Sequence, residues 1–351
     1  MIVSRSFPFL SISNNFIMET AMRVDVIIPA YKPDKSFLEL IQKLFSQTVR
    51  PERVIIINTE EKYLNNLIYG TDFKERYKDV VIKNISKLEF NHGRTRNYGA
   101  KKSDADAIIF MTQDAMPDNE YLIEELIKPL LDDSIAVSYA RQLPRQDASP
   151  IEVFSRGFNY PDKDLVKYKK DLDTLGIKTY FCSNVCAAYN TQIFNRLGGF
   201  VDFTIFNEDM LYAAKAINEG YGICYAAKAR VVHSHNYNGR QQLRRNFDLG
   251  VSQADHPEVF EGIKSESEGI RMVKQTISYL MKQRKPHLIP YLIYLSYSKL
   301  RGYRLGRRYR KLSKNKILKY TMSPEYFQRY WDKNEIPENV YAGYGKNEQG
   351  L

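Results

Sequence analysis

The chain has 351 residues, of which 43% are hydrophobic and 26% charged, with 18 Gly and 14 Pro. This composition excludes collagen-like, low-complexity and wholly disordered proteins, and at roughly 150 residues per domain the length allows about two domains. Three cysteines are too few for a disulfide framework and indicate a reducing, cytosolic compartment. No stretch approaches the roughly 18 consecutive apolar residues of a membrane-spanning helix, so we expect none.

The first half of the chain predicts strands that alternate with helices. The apolar run 24–28 predicts a buried strand, and a helix is expected over residues 36–49, where Ser36 and Glu39 fit a capping box. Further buried strands are predicted at 54–57 and 107–111, followed by a helix that begins at Pro117. This order predicts an α/β fold with a doubly wound, mainly parallel sheet.

Later segments extend the α/β core to about residue 240 and then change in character. A strand around 187–189, a helix over 210–218 and a strand over 229–232 complete the core. The expected domains are a poorly ordered leader at 1–22, an α/β domain at 23–245 and a basic helical region at 246–351.

The net charge of +11 comes from one C-terminal segment. Residues 269–324 contain 15 Lys and Arg and no Asp or Glu, so the rest of the chain has 37 basic and 41 acidic residues. Cations interleaved with Tyr and Leu suit an anionic membrane surface, whereas nucleic acid and a merely solvated charged face are the alternatives. We favour the membrane, because no nucleic-acid-binding motif accompanies the charge.

Two polar segments are candidates for binding a phosphorylated ligand, because ligands bind beyond the carboxyl ends of the strands in such sheets. Asp114 follows a predicted strand and could hold a divalent ion with its phosphate ligands, or could merely cap the next turn. The segment 90–99 reads as a Gly-containing loop whose Arg94 and Arg96 could contact a diphosphate.

Two further segments carry groups for proton transfer and metal binding. Glu208 and Asp209 open a predicted helix, where they could cap its N-terminus or provide a general base. His233 and His235 follow the strand period of two and therefore share one face, where they could bind a metal or be structural.

The order and spacing of these segments resemble one family. The chain is similar to inverting family 2 glycosyltransferases of the GT-A fold, and most resembles bacterial rhamnosyltransferases that use dTDP-L-rhamnose. The resemblance covers about residues 23–240. It is carried by the segments 26–31, 90–97, 112–115 and 207–209 and by His233.

The resemblance implies a role for each matching residue. Asp209 would be the catalytic base with Glu208 beside it, while Asp114 and His233 would ligate Mg²⁺ or Mn²⁺. The implied nucleotide-sugar contacts are Pro29, Ala30, Tyr31, Asn58, Glu60, Arg94, Arg96, Gln113 and Asp114.

Two positions depart from the family pattern. The D-x-D metal-binding element is reduced to Thr112-Gln113-Asp114, which leaves the strength of the metal dependence open. Asn58 stands where the family usually has an acid that binds the base, which leaves the identity of the base open.

The function expected from this resemblance is transfer of L-rhamnose from dTDP-L-rhamnose to a lipid-linked saccharide acceptor in cell-surface polysaccharide synthesis. The enzyme would be cytoplasmic and bound peripherally to the inner face of the cell membrane through residues 269–324. The alternative is a non-catalytic member of the family that acts as a binding or scaffold subunit in polysaccharide assembly.

Overall fold

A single mixed sheet forms the centre of the protein. The computed structural model describes residues 22–262 and 266–341, so the expected leader lies outside the described residues except for Met22. The described strands are β1 (Val24–Tyr31), β2 (Arg53–Thr59), β3 (Val80–Ile85), β4 (Ala107–Met111), β5 (Met116–Pro117), β6 (Ile135–Leu143), β7 (Leu165–Lys167), β8 (Cys186–Asn190) and β9 (Gly222–Val232).

The sheet is mainly parallel, as the sequence predicts. Its order is β3-β2-β1-β4-β8-β6-β9-β5, with β7 paired to β9. The long pairs β1–β2, β2–β3 and β6–β9 are parallel, as is β1–β4, whereas β8 lies antiparallel between β4 and β6. Ile27 and Ile28 are fully buried on opposite faces of the sheet, in two separate hydrophobic clusters, because helices cover both faces.

Helices follow most of the strands and then make up the C-terminal region. They are α1 (Lys35–Phe45), α2 (Glu61–Ile68), α3 (Phe73–Arg76), α4 (His92–Ala100), α5 (Leu122–Ile127), α6 (Pro150–Asn159), α7 (Leu172–Leu175), α8 (Thr191–Arg196), α9 (Glu208–Asn218), α10 (Gly239–Asp255), α11 (Pro257–Phe260), α12 (Glu266–Lys282), α13 (Ile289–Arg307), α14 (Lys314–Tyr320) and α15 (Pro324–Asp332). Among the described helices, none has both the length and the apolar character needed to cross a bilayer.

Three local expectations need correction. Helix α1 is capped by the Asp34 carboxylate, which accepts the backbone N–H of Ser36, so Ser36 is not the cap. Pro117 lies in the short strand β5, because its segment pairs with β9 before the next helix begins at Leu122. The segment 90–99 is mostly helix rather than loop, since the Asn91 side chain caps α4 at the N–H of Gly93.

Helices α10 and α13 pack with their backbones in close contact. A β-carbon placed on Gly302 would lie 2.1 Å from the carbonyl oxygen of Leu243, and one on Gly306 would lie 2.1 Å from that of Phe247. The boundary expected after residue 245 falls within α10, which runs without interruption from Gly239 to Asp255. The basic C-terminal helices therefore continue directly from the α/β core.

Gly302→Ala tests this contact, because helix propensity predicts a more stable variant and the close packing predicts a less stable one. Alanine in a helix interior is favoured over glycine by about 0.5–1 kcal/mol, but overpacking against a backbone costs about 1–3 kcal/mol, so the variant should be less stable. Thermal unfolding should show a lowered Tm. Gly157→Ala in α6 is the control, because nothing lies within 4 Å of the added carbon, and its Tm should be unchanged or raised. A raised Tm for Gly302→Ala would contradict the close packing.

Candidate active site

A cavity of about 470 Å³ opens beyond the strand ends, between the α/β core and the C-terminal helices. Its walls come from the segment after β4, from β6, from the loop before β8, from the start of α9 and from the segment after β9. Helices α10 and α13 complete it. Its lining includes His92, Arg96, Asp114, Gln142, Glu152, Arg156, Asn184, Phe206, Glu208, Asp209, His233, His235, Tyr237, Arg245 and Lys299.

Glu208 is a buried carboxylate held in its charged form. Its Oε1 atom lies 3.2 Å from the Arg96 guanidinium and accepts the side-chain amide of Asn184 at 3.1 Å. Burial by itself would raise the pKa of Glu208, but the Arg96 charge and the Asn184 hydrogen bond outweigh burial and hold the pKa below its usual value. The side chain therefore stays ionised inside the protein.

Asp209 has the opposite electrostatic environment. Burial, together with the charge of the adjacent Glu208, raises the pKa of Asp209 to about 7. Its Oδ2 atom accepts the backbone N–H of Asn184 at 2.9 Å, which orients the carboxyl group. Two neighbouring carboxyl groups with separated pKa values are an arrangement suited to acid–base chemistry, with Asp209 as the group that exchanges a proton near neutral pH.

The loop that carries Asn184 is anchored by a buried lysine. The Lys167 ammonium, on β7, donates to the carbonyl oxygens of Lys178 and Phe181. The hydroxyl of Tyr189 donates to Asn184 Oδ1 at 2.7 Å. Because Asn184 contacts both acids, these hydrogen bonds determine the position of the pair.

Asp114, His233 and His235 form a group that can hold a divalent cation. Asp114 Oδ2 lies 3.3 Å from His235 Nε2 and 3.5 Å from His233 Nε2, and the two Nε2 atoms are 3.2 Å apart. Adjacent ligands of an octahedral ion with bonds of about 2.1 Å are separated by about 3 Å, so the spacing fits Mg²⁺ or Mn²⁺. One carboxylate oxygen and two imidazole nitrogens form a mixed oxygen and nitrogen ligand set that a divalent metal ion can accept.

The histidine His233 is oriented by a glutamine behind it. Its Nδ1 atom lies 3.2 Å from Gln142 Oε1, which can only accept a hydrogen bond, so Nδ1 carries the proton and Nε2 is left free to bind metal. Burial would raise the pKa of Asp114, but the adjacent His233 and His235 outweigh burial and hold the pKa well below its usual range. Asp114 therefore stays ionised, which is the form that binds a metal ion.

A second cavity of about 240 Å³ adjoins the first, and His92 lines both. Tyr31 and Thr59, at the ends of β1 and β2, form one wall, and Tyr326 of α15 contributes to another. The Thr59 hydroxyl is buried and has no hydrogen-bond partner among the described residues. An apolar cavity with an aromatic wall and an unused hydroxyl suits a planar polar ring.

Of the residues expected to bind the nucleotide sugar, Tyr31, Arg96 and Asp114 line the two cavities. The other six are not in either lining, and most of them have structural partners. Gln113 donates to and accepts from the Tyr31 backbone, Asn58 donates to Asn84, and Glu60 accepts the N–H of Lys87. Arg94 pairs with Glu335, while Pro29 and Ala30 lie within β1.

Several side chains at the cavities were not predicted from the sequence. His235 was a candidate metal ligand from its spacing of two from His233, but the ligands implied by the resemblance did not include it. His92, Gln142, Asn184 and Arg245 had no sequence signal, since each reaches the cavity from a different element and no local pattern marks it.

The mixed sheet, the acids at the start of α9 and the metal-ligand group in one cavity define the GT-A class of glycosyltransferases. The structure resembles a mannosyltransferase from Pyrobaculum calidifontis, solved with GDP-Man and Mn²⁺, at a TM-score of 0.51 and 14% identity over 89% of this chain and 88% of that chain. The family model for glycosyl transferase family 2 matches residues 25–198.

Two curated relatives match over nearly the whole chain. The chain is 39% identical to the O-antigen chain rhamnosyltransferase RfbN of Salmonella typhimurium, over 89% of this chain and 96% of the relative. It is 38% identical to the O-antigen chain rhamnosyltransferase WbaN of Salmonella anatum, over 88% of this chain and 95% of that relative. The protein belongs to glycosyltransferase family 2 and is an enzyme of that class, as the sequence predicted.

Arg96→Gln tests the buried ion pair separately from catalysis. Removing the guanidinium leaves Glu208 charged and buried, which should lower the free energy of unfolding by about 3–5 kcal/mol in denaturant titrations. The double variant Arg96→Gln/Glu208→Gln should recover most of this loss, because two neutral amides can hydrogen bond to each other. Arg94→Gln is the control on the same helix, since the Arg94 side chain is 41% exposed and exposed ion pairs contribute about 1 kcal/mol or less. Equal losses for Arg96→Gln and Arg94→Gln would refute the assignment.

Proposed function

We propose that the protein transfers L-rhamnose from dTDP-L-rhamnose to a saccharide acceptor of a cell-surface polysaccharide, with inversion at the anomeric carbon. The relatives named as O-antigen chain rhamnosyltransferases support the sugar and the kind of acceptor. The observation that carries the mechanism is that a carboxyl group with a raised pKa, Asp209, lines the same cavity as the metal-ligand group.

Asp209 acts as the general base in this proposal. Its carboxylate removes the proton of the acceptor hydroxyl while that oxygen attacks the anomeric carbon from the face opposite the leaving diphosphate. A single displacement of this kind inverts the configuration. Glu208 stays charged through its pair with Arg96, and this charge makes Asp209 a stronger base than an isolated aspartate.

The proposed metal ligands are Asp114, His233 and His235, and the ion bound there would be Mg²⁺ or Mn²⁺. When bound, the ion neutralises the charge that develops on the leaving diphosphate. His235 supplies the ligand that the reduced D-x-D element lacks, and Gln142 keeps His233 in the required tautomer. The nucleoside is placed in the second cavity, with Tyr31 against the base.

The test is turnover of dTDP-L-rhamnose by wild-type protein and by Asp209→Asn. The variant should lower kcat by about 10²–10⁴-fold while the Kd for dTDP changes little, because only the base is lost. Wild-type kcat should rise with pH as Asp209 deprotonates near pH 7, and the variant should lack this rise. EDTA should abolish turnover, and added Mn²⁺ should restore it.

The exposed Asp133→Asn serves as the control and should match wild type. Donor binding without turnover in wild type, with the acceptor supplied, would contradict the proposal and support the non-catalytic alternative. Full activity of Asp209→Asn would contradict the assignment of the base.

We further propose that the outer face of α13 rests on an anionic membrane on the cytoplasmic side. Tyr291, Tyr294 and Tyr297 of α13 are 42–60% exposed, and Tyr297 is the most exposed of the three. The segment 269–324 around them has 15 cations and no acid. Each cation near an anionic surface contributes about 1 kcal/mol, and Tyr is suited to the boundary between headgroups and acyl chains.

Sedimentation with phosphatidylglycerol vesicles tests this contact. Tyr297→Ser should weaken binding severalfold, and higher salt should weaken it for wild type because the attraction is screened. Tyr69→Ser is the matched control, since Tyr69 is 89% exposed on the α/β core, far in sequence from the basic segment. Binding that is equal for neutral phosphatidylcholine vesicles, or unaffected by salt, would refute an anionic-membrane contact.

A further inference from the structure

The cavity has a second positively charged region, contributed by α6, α10 and α13. Arg156, Arg245 and Lys299 all line it. Arg156 is paired with Glu152 at 2.7 Å, on the same helix. Within the described part of the chain, Arg245 and Lys299 form neither an ion pair nor a hydrogen bond. Their positive charges are therefore not balanced by a protein carboxylate in contact with them.

Aromatic rings and other cations lie around Arg245 and Lys299, with Glu152 near Lys299 and Asp248 near Arg245 as acidic neighbours. The Arg245 guanidinium lies over the Phe206 ring at 4.9 Å and over the Tyr237 ring at 5.9 Å. Burial lowers the pKa of Lys299, and Arg156 and Arg245 lower it further, against the opposing effect of Glu152. Lys299 is partly buried and Arg245 is exposed, and a ligand of opposite charge would offset the cost of bringing these two cations together.

A tyrosine ring lies near both this region and the metal-ligand group. Tyr237 stacks on His235 with ring centroids 4.9 Å apart and an angle of 16° between the planes. The Arg245 guanidinium lies 5.9 Å from the centroid of the same ring. The cavity thus has two places for an anion, one at the metal ligands and one at Arg245 and Lys299.

Helix α13 connects the anion-binding place at Arg245 and Lys299 with the outer surface of the protein, because Lys299 lies on this helix. Lys299 lies on the inner face of this helix with Leu295 and Gly302, which are buried against the body of the protein. Tyr297 lies on the outer face and is 60% exposed. The helix proposed to rest on the membrane therefore also forms a wall of the cavity.

We propose that Arg245 and Lys299 bind the diphosphate of a lipid-linked acceptor, separately from the diphosphate of the sugar donor. This inference rests on the proposed transferase function and names the class of its second substrate. The two cations hold the acceptor by its phosphates, so its sugar hydroxyl is presented to Asp209. An acceptor without phosphate binds more weakly to this enzyme.

Binding of farnesyl diphosphate to the full-length protein tests the proposal. The protein is first saturated with dTDP and excess Mg²⁺, so that the donor site is filled, and the lipid is then titrated by calorimetry below its micelle concentration. Wild type should bind it, and Arg245→Gln and Lys299→Met should each weaken the Kd about 10-fold or more, since each removes a charge-assisted contact. Farnesol, which lacks the diphosphate, should bind at least 10-fold more weakly.

Matched controls separate a specific site from general attraction. Arg240→Gln on α10 and Arg301→Gln on α13 remove exposed cations outside the cavity lining, and both should bind like wild type. Asp114→Asn should weaken dTDP binding and leave farnesyl diphosphate binding unchanged. Melting temperatures of all variants are measured first, and the two test positions are partly exposed, so folding should be retained.

Four outcomes would overturn the proposal. They are no binding of farnesyl diphosphate, equal binding of farnesol, equal weakening by the control variants, and competition between farnesyl diphosphate and dTDP for one site. Competition between the two ligands would assign Arg245 and Lys299 to the diphosphate of the donor. Failure of the proposed function is seen separately, as the absence of dTDP-L-rhamnose turnover by wild type, and does not alter these binding results.

Discussion

The buried ion pair between Arg96 and Glu208 is the interaction on which the active site depends. It joins α4 to the start of α9 and keeps one carboxylate charged in the interior. That fixed negative charge, together with burial, raises the pKa of the neighbouring Asp209 into the physiological range. Without the pair, a buried Glu208 would tend to take up a proton, and the difference between the two acids would diminish.

A second constraint is the close contact of α10 with α13. Glycines at 250, 302 and 306 let the two backbones approach, and this approach places Arg245 and Lys299 in the lining of the cavity. The basic C-terminal region is therefore part of the site and does not only cover the surface. The same helix α13 has an exposed tyrosine on its outer face and a cation on its inner face, which connects the proposed membrane contact with the proposed acceptor site.

The features that depend on a short, continuous stretch of sequence were the most predictable. The buried strands β2 and β4 are continuous apolar runs, and Glu208 and Asp209 lie at the start of α9 as expected. The first residues of helices were less predictable, because several nearby polar residues could cap each helix and the structure uses Asp34 for α1 and Asn91 for α4. The hydrogen-bond partner of Gln113 could not be predicted from the sequence, because it is the Tyr31 backbone, 82 positions away.

The pairing of Asp114 with His233 was expected from the resemblance to the family. The sequence by itself determined the α/β class, the acids at the start of α9 and the concentration of positive charge in the C-terminal region. Each of these depends on periodicity, composition or a short motif. Only the tertiary structure decided that Arg96 pairs with Glu208, that His235 and Gln142 complete the metal-ligand group, and that Arg245 and Lys299 face the cavity. The physical reason is that these contacts join distant elements, and chain packing rather than local pattern brings them within a few ångströms.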